Sequence, residues 1–173
     1  MDALNSSSLY ALADKLARID GKDGQFYKEF IKMQDHVNNI LECVYRSGHI
    51  DASSEWKSAL KTIFHSESMK LLKCVAYQLG LKPSDYRISS NISGNATCGE
   101  ITLHTDSLYV QISQRSAQGL DILYRSCNGR KDYGGSHSRN NWFAFHDLDN
   151  MPRVLVAFKR VQDGKHALVS LDF

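Results

Sequence analysis

In the first half of the chain, hydrophobic positions recur every three or four residues, which is the spacing of an amphipathic helix. Four such stripes predict four helices. A Ser-rich entry precedes the first stripe, Gly48 ends the second, and Gly80 with Pro83 just beyond it ends the last. The apolar positions are Leu9, Leu12, Leu16 and Ile19; Phe26, Phe30, Met33, Val37, Ile40, Leu41 and Val44; Trp56, Leu60, Ile63 and Phe64; and Met69, Leu72, Val75, Ala76 and Leu79.

At about residue 86 the pattern changes to alternation of apolar and polar residues, which is typical of half-buried strands. Alternation over 86–93, 99–105, 108–112 and 120–125 predicts four strands. The second and third are separated only by Asp106-Ser107, so we expect them to form a hairpin.

The C-terminal segment fits two patterns. One is a helix with Pro152 in its first turn and Asp149 or Asn150 as its N-cap. The other is a hairpin, because Asp163-Gly164 lies between two apolar runs. We predict the helix, followed by a strand at 166–172. The apolar stripe of this helix is Met151, Val154, Leu155, Phe158 and Val161.

These elements predict an α+β fold, in which a helical bundle-like part precedes a mostly antiparallel β-sheet with one C-terminal helix. The boundary is expected near residue 83, giving a helical subdomain over 1–83 and a sheet subdomain over 84–173. A chain of 173 residues is long enough to bury a core without covalent cross-links.

The charge balance narrows the class of partner. The net charge is +2, and the excess lies in residues 87–173, which hold ten basic and eight acidic side chains. A strongly basic polyanion-binding domain is therefore excluded, whereas a local basic patch is not. The chain holds no membrane-spanning run and no CxxC pair, and its opening residues do not follow the pattern of a secretion signal. We therefore expect a cytoplasmic protein without such a signal, with four reduced cysteines and no cofactor.

The long segment 124–142, YRSCNGRKDYGGSHSRNNW, is the main candidate site. Guanidinium and ammonium groups bind phosphates and carboxylates, aromatic rings stack on bases, and glycines let backbone amides approach an anion. A solvated surface loop is the simpler interpretation of the same composition. The predicted binding residues are Arg125, Arg130, Lys131, Arg139, Tyr124, Tyr133, Trp142, Asn128 and Asn141.

Two histidines suggest an alternative chemistry. His104 and His137, with Arg130 or Lys131, could perform metal-independent acid–base cleavage of a phosphodiester. The order of helices followed by sheet is similar, by analogy only, to compact ribonuclease-like folds. A thiolate at Cys127 between two arginines is a weaker alternative.

A metal site is also weakly indicated by His146, Asp147, Asp149 and Asn150, although a helix N-cap explains the last two better. No phosphate-binding loop, dinucleotide-binding glycine motif or nucleophile elbow occurs in the chain. The run at 146–150 also lacks the ligand spacing of a calcium loop, so we predict no metal site.

The sequence thus favours a small non-catalytic protein that binds an anionic partner, either nucleic acid or an acidic protein surface, through residues 124–142. The alternative is the phosphodiester-cleaving hydrolase. The stretches GEITLHTDSLYVQIS and YRSCNGRKDYGG resemble parts of uncharacterised phage or prophage proteins, and such an origin would fit an inhibitor of a host complex. The resemblance assigns no role to any residue.

Overall fold

Two long helices precede an antiparallel sheet, and a third helix follows it. The computed structural model of the protein describes residues 24–93, 97–114, 121–134 and 139–164. The described helices are α1 (Gln25–Ser47), α2 (Glu55–Gln78) and α3 (Met151–Gln162), with short 3-10 helices at Pro83–Asp85 and Phe145–Asn150. The predicted α+β class is confirmed.

Helix α1 follows the predicted apolar stripe. Phe30, Met33, Val37 and Ile40 are all buried, because they recur on one side of a 3.6-residue period. The helix ends at Gly48, which has φ of +65° and donates its N–H to the Val44 carbonyl at 3.0 Å. Glycine adopts this left-handed conformation without the steric cost that a Cβ would bring.

Helix α2 is one continuous helix where the sequence predicted two. The polar run at 65–68 looked like an interruption, but His65, Glu67 and Ser68 are buried within the helix. Predicted core positions Trp56 and Ile63 are instead exposed, by 53% and 46%. They lie one heptad apart on the side of α2 that faces away from the core.

The sheet has five strands in the order β1-β2-β3-β4-β5, each antiparallel to its neighbours. The predicted hairpin at 106–107 is present, and the predicted strands agree with the observed ones to within two residues at most ends. The short fifth strand interrupts the end of the segment expected to be a loop. The strands are β1 (Tyr86–Asn91), β2 (Glu100–Thr105), β3 (Leu108–Ile112), β4 (Ile122–Ser126) and β5 (Asn141–Phe143).

The two faces of the sheet have different roles. Alternation along the strands places Leu103, Val110, Ile122 and Phe143 on the face that packs against the helices in one hydrophobic core. We call the opposite side the outer face. Cross-strand register aligns two rows there, Arg87, His104, Tyr109 and Arg125, and Ser89, Thr102, Gln111, Leu123 and Trp142.

The C-terminal segment forms the predicted helix, α3, and not a hairpin strand. Asn150 is its N-cap, with its side-chain oxygen accepting from the Arg153 amide at 3.3 Å, and Pro152 lies in the first turn. The predicted first helix and the predicted strand at 166–172 lie outside the described residues.

The core is shared by the helices and the sheet, since one hydrophobic cluster includes residues from both. The proposed boundary near residue 83 stays a prediction. Cys43, Cys74, Cys98 and Cys127 are buried free thiols. No helix in the described ranges is both long and apolar enough to cross a membrane.

A buried polar cluster joins α1 to α2. The Glu67 carboxylate is 7% exposed and accepts hydrogen bonds from Lys70 Nζ at 2.6 Å, His36 Nδ1 at 2.8 Å and Asn39 Nδ2 at 3.1 Å. Burial alone would raise the pKa of Glu67, but these three donors outweigh it and lower the pKa to about 2. The ionised carboxylate therefore stabilises the contact between the two helices.

We expect Glu67→Gln to destabilise the protein by about 2 kcal/mol at pH 7, because a buried charge-assisted network is lost. The folded pKa lies below the ordinary value of 4.5, so this stabilisation is present above about pH 4.5 and is lost as the pH falls toward 2. Urea unfolding at pH 7 and pH 3 should therefore show a smaller acid-induced loss in the variant than in the natural chain.

Glu42→Gln is the matched control, because Glu42 is an exposed α1 residue paired only with exposed Arg46. Its stability should change by less than about 0.5 kcal/mol. Equal pH dependence in Glu67→Gln and the natural chain would contradict the assignment.

Candidate functional site

A buried arginine organises the outer face. Arg125 is 3% exposed, and its guanidinium lies 4.4 Å from the centre of the Tyr109 ring. It donates to the backbone carbonyls of Ser126 at 3.2 Å, Asp132 at 3.1 Å and Tyr133 at 3.0 Å. The planar five-donor group suits this task, since it can satisfy several carbonyls at once. Arg125 thus ties the segment 126–133 back over the end of the sheet.

Further contacts fix the same segment to the β2–β3 hairpin. The amides of Cys127 and Gly129 donate to the carbonyls of Ser107 at 3.1 Å and Asp106 at 2.9 Å. The Arg130 Nε atom lies 3.1 Å from the Asp106 carboxylate. Gly129 has φ of +89°, a conformation that favours glycine. The segment is therefore a folded cover held by specific contacts. We call residues 127–134 the cover segment.

His104 lies beneath the cover segment. It is 2% exposed, and its ring meets Tyr109 and Tyr133 edge to face, each at 5.1 Å between centroids. Within the residues that the structure describes, neither ring nitrogen has a hydrogen-bond partner.

The surroundings of His104 favour its neutral form. Burial lowers its pKa, and the nearby Arg125 charge lowers it further. Asp132, Asp106 and the Gly129 backbone act in the opposite sense without outweighing these effects. A neutral, covered imidazole cannot touch a substrate unless Tyr133 moves.

The exposed basic groups are fewer than the sequence suggested. Lys131 and Arg139 are exposed and make no ion pair with a described residue. Arg125 is buried and donates to backbone carbonyls, and Arg130 is exposed but forms an ion pair with Asp106. Arg87, which we did not predict, is exposed and stands beside His104 on the outer face. Arg87, Lys131 and Arg139 make no ion pair with another described residue.

The predicted aromatic residues separate onto two sides of the sheet. Tyr133 is 58% exposed, and Trp142 is partly buried against Tyr109 and Leu123 on the outer face. Tyr124 lies on the core face, buried and stacked on Phe143 with ring centroids 4.9 Å apart. Its burial removes it from any surface formed by the cover segment.

The two predicted asparagines make hydrogen bonds to nearby residues of the chain. The Asn128 amide N–H donates to the Asp132 carboxylate at 3.0 Å. The Asn141 side chain donates to the carbonyls of Arg139 at 3.1 Å and Tyr124 at 3.4 Å. Asn128 keeps an exposed side chain.

The geometry gives little support to the histidine acid–base site, the Cys127 thiolate or a metal site. His137 lies outside the described residues, so its separation from His104 is untested. Burial raises the pKa of the Cys127 thiol to about 11, which disfavours a thiolate there. Asp147 accepts from the Ala144 amide and contacts Arg153, and Asn150 caps α3. No set of three metal-ligating side chains occurs in the part of the chain that the structure covers.

The chain matches no protein-family model, and no curated protein or solved structure is significantly similar to it.

Arg125→Met should destabilise the protein by about 2–4 kcal/mol, because three carbonyls lose a buried charged donor. Arg125→Lys should not restore the loss, since an ammonium group cannot reproduce the planar fork. Urea unfolding and amide exchange at 127–134 measure both effects, with exposed Arg139→Met as the control. Unchanged exchange in Arg125→Met would exclude this residue as the anchor of the cover segment.

Acid should loosen the cover segment. The folded pKa of His104 is below its ordinary value of 6.5, so its contribution to stability is intact above about pH 6.5 and falls as the pH drops toward the folded pKa. We expect amide exchange at 127–134 to accelerate between pH 7 and pH 5, and His104→Phe to remove most of that acceleration.

The measurement must be local, because burial lowers the pKa of His65 as well. Its protonation affects global stability in the same pH range. Acid-accelerated exchange of the cover segment that persists in His104→Phe would show that another group is responsible.

Proposed function

We propose that the protein is a binding module whose outer face engages a single-stranded nucleic acid, with no catalysis at that face. One observation carries the proposal: Arg87 and Lys131, exposed cations without ion pairs to described residues, accompany the exposed Tyr133 ring on this side of the sheet. Cations that track a phosphate backbone beside an aromatic face are the combination that such binding requires.

The charge of the surface is supplied by few groups. Arg87 projects from the edge strand β1, Lys131 from the cover segment, and Arg139 from the chain just before β5. Arg130 forms an ion pair with Asp106, which offsets part of its charge. Few phosphate contacts and moderate affinity are therefore expected, which agrees with the net charge of +2.

The outer face also offers hydrogen-bonding groups. Ser89 and Thr102 pair through their hydroxyls at 2.7 Å, and Gln111 accepts from the Tyr109 hydroxyl at 2.9 Å while donating to Ser113 at 3.1 Å. Hydroxyl and amide groups of this kind can exchange their mutual bonds for bonds to bases or sugars. The same groups can bond to peptide and carboxylate groups, so an acidic protein surface, including that of a host complex, is the alternative partner.

The hydrolase alternative is less well supported. It needs His104 to transfer a proton to or from substrate, and burial under Tyr133 opposes that role. Catalysis is therefore not part of the proposal.

Binding of a fluorescent oligothymidylate, followed by anisotropy at several salt concentrations, tests the proposal. Arg87→Ala with Lys131→Ala should weaken binding and reduce the slope of log affinity against log salt by about 1.4, at about 0.7 per lost phosphate contact. Tyr133→Ala should cost about 1–3 kcal/mol of binding through lost stacking.

The control variants remove the same kinds of side chain, two cations and one tyrosine, from the helices α1 and α2. Lys28→Ala with Lys73→Ala removes two exposed cations from α1 and α2, and Tyr45→Ala removes an exposed α1 ring. Equal weakening by the control pair would exclude the outer face as the binding site. Salt-independent affinity would exclude phosphate binding. Salt-sensitive binding of polyglutamate without binding of oligothymidylate would indicate an acidic protein partner instead.

A further inference from the structure

A serine–histidine pair lies on the other side of β1, away from the outer face. The Ser90 Oγ atom is 2.7 Å from His65 Nδ1, and His65 Nε2 is 2.7 Å from the Cys98 carbonyl oxygen. Ser90 is exposed on the edge strand, whereas His65 is 3% exposed in the middle of α2. A reachable hydroxyl is therefore joined to a buried, oriented imidazole.

The hydrogen bonds fix which nitrogen carries the proton. A carbonyl oxygen can only accept, so Nε2 donates to Cys98 and the neutral ring leaves Nδ1 to accept from the Ser90 hydroxyl. This is the tautomer that a general base beside a serine needs. Burial, and more weakly the charge of Lys61, lowers the pKa of His65, which keeps the ring neutral near pH 7.

Gly99 allows the backbone to lie close to the His65 ring. Gly99 has φ of +77°, and a Cβ there would lie 2.7 Å from His65 Nε2 and 2.6 Å from the Asn91 carbonyl oxygen. Any side chain would displace the imidazole from the Cys98 carbonyl. The backbone at 98–99 is thus shaped around His65 by close contact.

A cation lies on the same side of α2, one turn before His65. Lys61 Nζ donates to the Thr97 carbonyl at 2.8 Å, and its charge reaches His65. Beside the larger effect of burial, that charge lowers the pKa of His65, which favours the neutral form of the ring.

We propose that Ser90, with His65 as general base and the Cys98 carbonyl as the orienting group, is a nucleophilic site that accepts an acyl group from small activated carboxylic esters. Ser90 Oγ bonds to the ester carbonyl carbon while its proton passes to His65 Nδ1. Collapse of the tetrahedral intermediate restores the carbonyl, breaks the bond to the leaving oxygen, and returns the proton from Nδ1 to that oxygen. Water then releases the acid from Ser90 by the same proton relay.

The full chain is treated with p-nitrophenyl acetate, release of nitrophenolate is followed, and the acetylated residue is mapped by mass spectrometry. We expect acetylation at Ser90, none in Ser90→Ala, and a rate at least about 100-fold lower in His65→Gln. Ser84→Ala is the matched control, because Ser84 is an exposed serine whose hydroxyl donates to the Asp85 carboxylate at 2.9 Å and not to a histidine. It should be acetylated at Ser90 like the natural chain.

Thermal unfolding separates chemistry from folding. Ser90→Ala leaves the buried Nδ1 of His65 without its donor and should lower the unfolding midpoint while the chain stays folded, so loss of labelling in the folded variant supports the site. Absence of an adduct on Ser90 in the natural chain would overturn the proposal. Labelling of Ser90 at an unchanged rate in folded His65→Gln would also overturn it, because the hydroxyl would then react without the base.

Discussion

The buried guanidinium of Arg125 is the interaction on which the outer face depends. A segment without regular secondary structure leaves carbonyl groups that need donors, and a buried cation needs acceptors. Arg125 and the carbonyls of Ser126, Asp132 and Tyr133 satisfy each other at 3.0–3.2 Å. This exchange brings Tyr133 over His104 and places Lys131 at the surface. The most deeply buried cation of segment 124–142 is therefore a structural residue, and the available binding charge comes from its neighbours.

The elements of the fold could be predicted from the sequence because they rest on local periodicity. Alternation gave the strands, and a 3.6-residue stripe with Pro152 and a capping Asn150 gave α3. The division of α2 into two helices was wrong because the residues at 65–68 are polar, and polar residues usually mark an exposed face. Two of them are buried with partners of their own, since Glu67 has three donors and His65 bonds to Ser90 and Cys98. Ser68 is also buried, although its hydroxyl has no hydrogen-bond partner among the described residues. Apart from Lys70, the partners of Glu67 and His65 are distant in sequence, and no local pattern reveals them.

The candidate site was less predictable because it depends on register between strands. Tyr124 and Arg125 are adjacent in sequence, so within a strand they must face opposite sides, and this much alternation could have shown. The position of Arg87 beside His104, Tyr109 and Arg125 could not be predicted from alternation. It requires Arg87 to pair with His104 and His104 with Tyr109, and the first pairing is set by a long connection between β1 and β2. Composition identified a basic segment, whereas pairing decides which cations share a surface.

The edge strand β1 connects the two sites while keeping them separate. Arg87 and Ser89 project to the outer face, and Ser90 projects toward α2, because successive side chains of a strand alternate. The partners of the two sides are different, since Ser89 bonds to Thr102 and Ser90 to His65. Substitutions on opposite sides that share no partner usually act additively. An acyl group on Ser90 would therefore leave the cations of the outer face in place, and a polyanion bound to those cations would not cover the Ser90 hydroxyl.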